Sequence, residues 1–463
     1  MKVENLNYYQ IYSYIQIVSS QLELLSNSEY FKVEQLNSDI SKNMKYIDEV
    51  RGYIVSSIFT ITKYFITSSY DDILKNQDLA INHSMGTVDY DFVIEEVRKI
   101  LSNPNIISID NIRPSMVLFN EDGMSVTIIL TGEVPQQLNI DSSNDPRYKE
   151  FNLLKTLYNS NSIKKNELDF VNFENLTTED YLKKIERVLN INKPMEELLN
   201  IVKSYVFTKD NFFKLVLINL RLRTEIPVIL LGETGCGKTS LIKIIAELKG
   251  VQLHIFNIHA GIDDDKIIKY LESEKLFSDN EKENTSNDEK TKSSNTWLFI
   301  DEFNACSSVE LIAEIILKHS CKGRKLKENI KIIAACNPYR KKEKKMSKEV
   351  GLYNIYNSNN NNNLVYIVYP IPHPILNFIF NFATPKNDDI IRYINTITSE
   401  TIKKLNTTQD PLNEIKKIAS NSIAKAHFFI KKEFDISSVS LRELNRWSVL
   451  YQWDQQQALL KVF

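Results

Sequence analysis

The eight residues Gly232-Glu233-Thr234-Gly235-Cys236-Gly237-Lys238-Thr239 constrain the fold of this chain more than any other feature, because they spell G-x-x-x-x-G-K-[ST]. A loop of this pattern cradles phosphates only where it follows a strand and opens a helix. Both conditions are met. Upstream, Pro227-Val228-Ile229-Leu230-Leu231 is a short apolar run bounded by a proline and a glycine, as a buried parallel strand should be. Downstream, Leu241, Ile244, Ile245 and Leu248 fall at i, i+3, i+4 and i+7, and Gly250 follows as a helix stop. The chain has only 11 glycines in 463 residues, so three of them within six positions of each other, directly before a Lys-Thr pair, is no accident of composition. Glycines let successive backbone N–H groups turn inward around phosphates, and the helix N-terminus adds its partial positive charge. Lys238 is then placed to reach the β- and γ-phosphates and Thr239 to ligate Mg²⁺, with Gly232 through Ser240 lining the nucleotide. Cys236 reads as a spectator in the loop.

Composition narrows the surroundings. An apolar content of 43% over 463 residues can fill the cores of two or three domains without help from disulfides or metals. A net charge of −2 supplies no basic field for nucleic acid or an anionic membrane, and the one dense basic run, Lys341-Lys342-Glu343-Lys344-Lys345, reads as a solvated loop. Cys236, Cys306, Cys321 and Cys336 form no C-x-x-C pair and have no histidines clustered with them, which argues against zinc and for reduced thiols in the cytoplasm. The N-terminus lacks a signal-peptide apolar core, and no uncharged run reaches about 18 residues, so neither secretion nor a membrane span is expected.

Along the chain, residues 1–195 read as a mainly helical region. Tyr8, Ile11, Ile15, Val18, Leu22 and Leu25 form one stripe, and Met44, Ile47, Ile54, Ile58, Ile61 and Phe65 another. Near 116–130, two β-rich runs flank Asn120-Glu121-Asp122-Gly123 and predict a hairpin. Residues 196–385 alternate apolar strands with helices, the pattern of a parallel α/β sheet. Two polar stretches interrupt it, 277–295 and the asparagine run 357–363, and both read as disordered insertions. Residues 386–463 read as a helical lid, and their apolar end without a stop signal reads as a chain cut from something longer.

A phosphate loop needs a carboxylate partner, and Trp297-Leu298-Phe299-Ile300-Asp301-Glu302 supplies two. Asp301, at the C-terminal end of a buried strand, can hold Mg²⁺ beside Thr239, and Glu302 is suited to polarise the attacking water. A helix is expected after them, opened by the capping box Ser307-x-x-Glu310. The next apolar strand, 330–335, leads to Cys336-Asn337-Pro338, which puts Asn337 on the ligand side of an open sheet, within reach of the γ-phosphate or the lytic water. Further on, Ser440-x-x-Glu443 predicts a helix start with Arg442 in its first turn, where it can sense an intact triphosphate from the lid.

Loop, Asp-Glu pair, strand-terminal Asn and later helical Arg, in this order, are similar to the AAA+ ATPases. The wording of Ile226–Thr239, His259-Ala260-Gly261, Asp301-Glu302-Phe303-Asn304, Ala334-Ala335-Cys336-Asn337-Pro338-Tyr339-Arg340, Leu364–Pro370 and Val439-Ser440-Leu441-Arg442 narrows the likeness. It resembles the dynein-like AAA core of the mysterin-type giant RING-finger ubiquitin ligases, with a weaker echo at Arg113–Gly123. The resemblance implies one AAA unit of a tandem array that binds ATP with Mg²⁺. It further implies Walker A roles for Lys238 and Thr239, Walker B roles for Asp301 and Glu302, and sensor roles for Asn337 and Arg442. It implies neighbouring AAA units that supply an arginine finger, with Arg340 and Arg324 as this chain's own candidates to serve a neighbour. No RING-like Cys/His framework occurs in the chain, so ubiquitin transfer would belong to a longer parent or a partner. The alternative to hydrolysis is an ATP-binding structural module of a larger ring. A GTPase is disfavoured, since no N-K-x-D-like tetrapeptide follows the strand ending in Asn337.

Overall fold

The computed structural model describes residues 8–27, 115–120, 126–130, 176–203, 205–278, 296–338, 368–382, 385–403, 409–433 and 439–460, with isolated helical positions between 52 and 62. Its centre is a five-stranded, wholly parallel sheet of β3 (Val228–Leu231), β4 (Gln252–Asn257), β5 (Thr296–Asp301), β8 (Ile330–Cys336) and β9 (Ile379–Asn381), in the order β4-β5-β8-β3-β9. β3 and β5 are buried at every position, which is why they read as continuous apolar runs rather than alternating ones. The order places β8 between the strand that feeds the glycine loop and the strand that ends in Asp301. Any polar group at the C-terminal end of β8 therefore lies between those two.

Helices α2 (Thr178–Leu189), α3 (Met195–Ile201) and α4 (Lys209–Arg223) precede β3, and α5 (Lys238–Lys249) leaves the loop that follows it. Tyr181, Leu182 and Ile185 of α2 share one apolar core with Ile229, Leu298, Ile333 and Phe380 of the sheet. Helix α6 (Asp264–Ser273) crosses from β4 towards β5, and α7 (Val309–Lys318) from β5 towards β8 by way of the two-residue strands β6 (Ser320–Cys321) and β7 (Arg324–Lys325). A short α8 (His373–Leu376) leads into β9. The lid helices α9 (Asn387–Lys403), α10 (Gln409–Glu433) and α11 (Leu441–Leu460) close on a small core of their own, Ile390, Ile394, Ile397 and Leu444.

The 116–130 hairpin forms as β1 (Ser115–Phe119) against β2 (Val126–Leu130). Three expectations need correction. Helix α1 (Tyr8–Asn27) buries Gln10, Ser13, Ile17, Val18, Gln21 and Leu24, so of the expected stripe Val18 is buried, whereas Tyr8 and Ile15 are 73% and 57% exposed. The reason lies in β1, since Gln21 Oε1 accepts the Phe119 N–H at 2.9 Å and its Nε2 donates to the Phe119 carbonyl. Secondly, the Ser307 capping box does not form. Helix α7 starts at Val309 with Ser308 before it, and the Ser308 hydroxyl is taken by Asp264, whose carboxyl this bond holds below its ordinary value. Thirdly, Phe277 is buried and bridges Leu326, so ordered backbone runs through Ser278, and the rest of the first polar stretch lies outside the described residues. The 357–363 run, Arg340 and the stripe positions Met44, Ile47, Ile61 and Phe65 also lie outside them, while Ile54 and Ile58 of that stripe are buried.

Candidate functional site

The loop after β3 turns on Gly235 (φ +78°) and Gly237 (φ +100°), both in the left-handed region that a side chain resists. Gly237 is the N-cap of α5, so the first N–H groups of that helix face the cleft. Lys238, 6% exposed, donates from Nζ to the carbonyls of Gly232 (2.5 Å) and Glu233 (3.0 Å), which holds the ammonium at the loop's mouth. Cys236 is buried, and its sulfur would lie 3.1 Å from a Cβ on Gly232. Its part is to pack the underside of the loop.

Across the sheet edge, the Thr239 hydroxyl donates to Asp301 Oδ2 at 2.5 Å. The two oxygens proposed from sequence for Mg²⁺ are thus neighbours, one at the start of α5 and one at the end of β5. Such an all-oxygen pair, with one carboxylate, suits a hard divalent cation that keeps most of its water. Glu302 follows with φ +56° and ψ +38° as the N-cap of a single 3₁₀ turn, Phe303–Ala305. A non-glycine residue in that region costs of order 1 kcal/mol, and such outliers gather at functional sites. Asn337 lies one residue beyond β8 and 5% exposed, and its Oδ1 accepts from the Thr234 hydroxyl at 3.4 Å. The glycine loop and Asn337 are therefore in contact, 103 residues apart in sequence.

The lid supplies the opposite wall. Arg442, in the first turn of α11, lines the same cleft as Gly235–Ser240, Asp301 and Glu302. Ser440 sets that turn. Its N–H donates to Glu443 Oε2 at 2.8 Å, and its hydroxyl accepts from the Arg442 N–H at 3.2 Å, a variant of the expected capping box. Burial pushes the Glu443 carboxyl up, but the hydrogen bonds from Ser440 outweigh it and hold the group below its ordinary value. A Cβ on Gly235 would overlap the Ser440 side chain, so the lid rests directly on the glycine loop.

The far end of the cleft was not legible from motifs. It is walled by Tyr205, Asp210 and Asn211 at the start of α4 and by Asp389, Tyr393 and Asn445 of the lid. Thr208 caps α4 by accepting the Asn211 N–H, and Asp210 pairs at 2.5 Å with Lys214, whose ammonium also lies 4.2 Å from the centre of the Phe382 ring. Lys214 is 1% exposed, and the Asp210-x-x-x-Lys214 spacing was the one trace of this arrangement in the sequence. Burial, followed by the Asp210 charge, raises the Asp389 carboxyl above its ordinary value. Arg324, one of the two arginines considered for a neighbour, faces away, paired with Glu272 and lying over the Phe277 ring at 3.9 Å. All four cysteines are buried and unpaired, and among the described residues no group of three or more His, Cys, Asp or Glu is placed to hold a metal. None of the described helices is long and apolar enough to cross a membrane.

A parallel sheet in this order, with a glycine loop opening α5 and a helical lid closing over it, defines a P-loop unit of the AAA+ class. Residues 205–340 match the profile of the RNF213 AAA domain. Similar curated proteins include E3 ubiquitin-protein ligase rnf213-beta of Danio rerio, 31% identical over 303 residues, which is 61% of this chain and 6% of that protein. E3 ubiquitin-protein ligase RNF213 of Mus musculus is 28% identical over 371 residues, 74% of this chain and 7% of that protein. The protein of that name from Homo sapiens is 29% identical over 291 residues, 58% and 5% respectively. The chain therefore carries an AAA unit of the RNF213 type. It spans less than a tenth of the length of these relatives.

Proposed function

We propose that this chain binds ATP and hydrolyses it with Mg²⁺, and that hydrolysis moves the lid (residues 386–463) against the α/β core (196–385) within a mysterin-like ubiquitin-ligase assembly. The observation that carries the reading is convergence. Lys238 with Thr239, Asp301 with Glu302, and Arg442 come from three separate segments onto one cleft, with Asn337 from a fourth held against its loop. In this reading Lys238 and the α5 N-terminus bind the triphosphate, and Arg442 contacts its terminal phosphate from the lid. Thr239 and Asp301 would hold Mg²⁺, which when bound offsets charge on the phosphate oxygens. Glu302 orients and polarises the attacking water, and Asn337 holds that water or the γ-phosphate in line. The family resemblance supports neighbouring AAA units as partners, and the free cysteines fit the cytoplasmic setting expected from the sequence.

Glu302→Gln keeps the shape of the site and removes the base. ATP should stay bound while turnover falls by about 100-fold or more, and equal hydrolysis by wild type and Glu302→Gln would sink the proposal. A second reading, an ATP-binding structural module, draws on one observation: among the described residues lining the cleft, Lys238 and Arg442 are the only Lys or Arg side chains. If hydrolysis needs a further arginine from a neighbouring unit, the isolated chain would bind ATP and turn it over slowly. Single-turnover rates for the chain alone and within a longer parent separate the two.

A further inference from the structure

Asn304 is fully buried, yet it lines no part of the cleft. Its side-chain amide spans a backbone instead, with Oδ1 accepting the Asn337 N–H at 3.1 Å and Nδ2 donating to the Asn337 carbonyl at 2.9 Å. A primary amide that makes both bonds to one residue stands in for a peptide unit of a neighbouring strand. The sheet cannot make those bonds itself. The pairing of β8 with β3 ends at Leu231↔Cys336 and that with β5 at Ile300↔Ala334, so Asn337 lies beyond the register on both sides, and Pro338 cannot extend the ladder. Its backbone is nonetheless buried, where unpaired polar groups are costly.

The same residue is tied at two other points. Asn304 sits inside the 3₁₀ turn whose N-cap is Glu302, and its carbonyl accepts the Tyr369 N–H at 2.7 Å. One buried side chain thus joins the turn that carries the proposed base to the residue proposed to sense the γ-phosphate. We infer that Asn304 is a positioning residue of the hydrolytic site: its amide fixes the Asn337 backbone relative to the Glu302 turn, so that the Asn337 side chain faces Thr234 and the phosphate end of the cleft. The inference rests on the ATPase reading. A packing role alone would not need both amide atoms directed at one backbone.

A double-mutant cycle on the full chain tests it, with single-turnover hydrolysis and ATP affinity measured for Asn304→Ala, Asn337→Ala and the pair. Asn304→Ala should slow hydrolysis by about 10- to 100-fold, as loss of alignment does, with ATP affinity within about 3-fold. In the Asn337→Ala background the same change should have little further effect, because Asn304 acts through Asn337. An undiminished effect in that background, or wild-type rates for Asn304→Ala, overturns the inference. Asn304→Asp keeps the volume and the acceptor but sets a carboxylate against the Asn337 carbonyl, and it replaces the alanine variant in the cycle if the latter fails to fold. Hydrogen exchange at the Asn337 amide gives a readout that does not need turnover, and it should quicken by about 10-fold or more in Asn304→Leu, which keeps the volume and removes the acceptor of that N–H. Unchanged exchange overturns the clamp whatever the rates. By contrast, wild type and Glu302→Gln equally inert with ATP bound overturn the ATPase reading and leave the exchange result to stand.

Discussion

The α/β core and the helical lid are built to different standards, and the cleft lies on the seam between them. In the core, β3, β5 and most of β8 are buried on both faces, and the side chains at the glycine-loop end are pinned by bonds to backbone or to one another. The lid has a four-residue buried apolar cluster and leaves Ile418, Phe429, Val449, Leu450 and Trp453 roughly 60% exposed. It also buries polar atoms without hydrogen-bond partners, Thr398 Oγ1 and both ring nitrogens of His427. Local opening free energies follow buried contacts and satisfied polar groups. A rigid bed beneath the cleft and a more loosely packed cover over it are what that contrast teaches.

The largest test of the contrast is a matched pair of truncations. Leu298→Ala removes a fully buried side chain from the middle of β5 and should cost about 2–5 kcal/mol of global stability. Leu444→Ala, at 5% exposed in the lid cluster, should instead raise hydrogen exchange in α9–α11 while the strands keep their protection. Equal loss of protection in core and lid after Leu444→Ala would mean that the two regions unfold as one.

Next comes acid sensitivity. Burial, and then the Lys431 charge, push the His427 imidazole down to about 4, with Glu443 opposing. Below about pH 6.5 the unfolded lid takes up a proton that the folded lid refuses, so stability falls with pH until about 4 and is flat beneath it. The loss should reach about 3 kcal/mol at most. His427→Leu should remove it, leaving an unfolding temperature for the lid that no longer drops between pH 6.5 and 4. A drop of the same size in the variant would assign the acid effect to other groups.

Gly235→Ala acts on the seam. It places a Cβ where Ser440 now sits and at a φ of +78°, a strain of about 1–2 kcal/mol before any displacement. The lid should be pushed off the loop, so that a probe on α11 gains mobility with the core unchanged. If that probe reports the wild-type lid position, the contact is not what seats the lid.

How much of this was legible depends on the range of the interaction. The positions of the glycine loop, Asp301-Glu302 and Asn337 at strand ends could be read because buried parallel strands appear as apolar runs. The buried face of α1 could not, because Gln21 goes inward only to meet the Phe119 backbone 98 residues away. Asn304 stood in plain sight in Asp301-Glu302-Phe303-Asn304, but its partner is fixed by the adjacency of β5 and β8, which no local pattern encodes. The Ser307 capping box failed for a similar reason, since Asp264 claims the neighbouring Ser308 hydroxyl. The far wall of the cleft mixes α4 with the lid, so no local pattern marks its acids.

That wall carries the smallest effect and the finest test of the seam. Asp389 faces Asp210 across the junction, with Lys214 and, more weakly, Lys386 and Arg392 offsetting the repulsion. Because its folded carboxyl is raised, the stability it contributes is present below its unfolded pKa of about 3.9 and is lost as pH rises through the folded value. Asp389→Asn keeps the shape and removes the charge. The variant should therefore melt slightly higher than wild type at pH 7.5, and the gap should close as pH falls towards 4. A gap independent of pH would trace the gain to packing, and a lower melting temperature at pH 7.5 would show that Lys214 binds the two carboxylates more strongly than they repel each other.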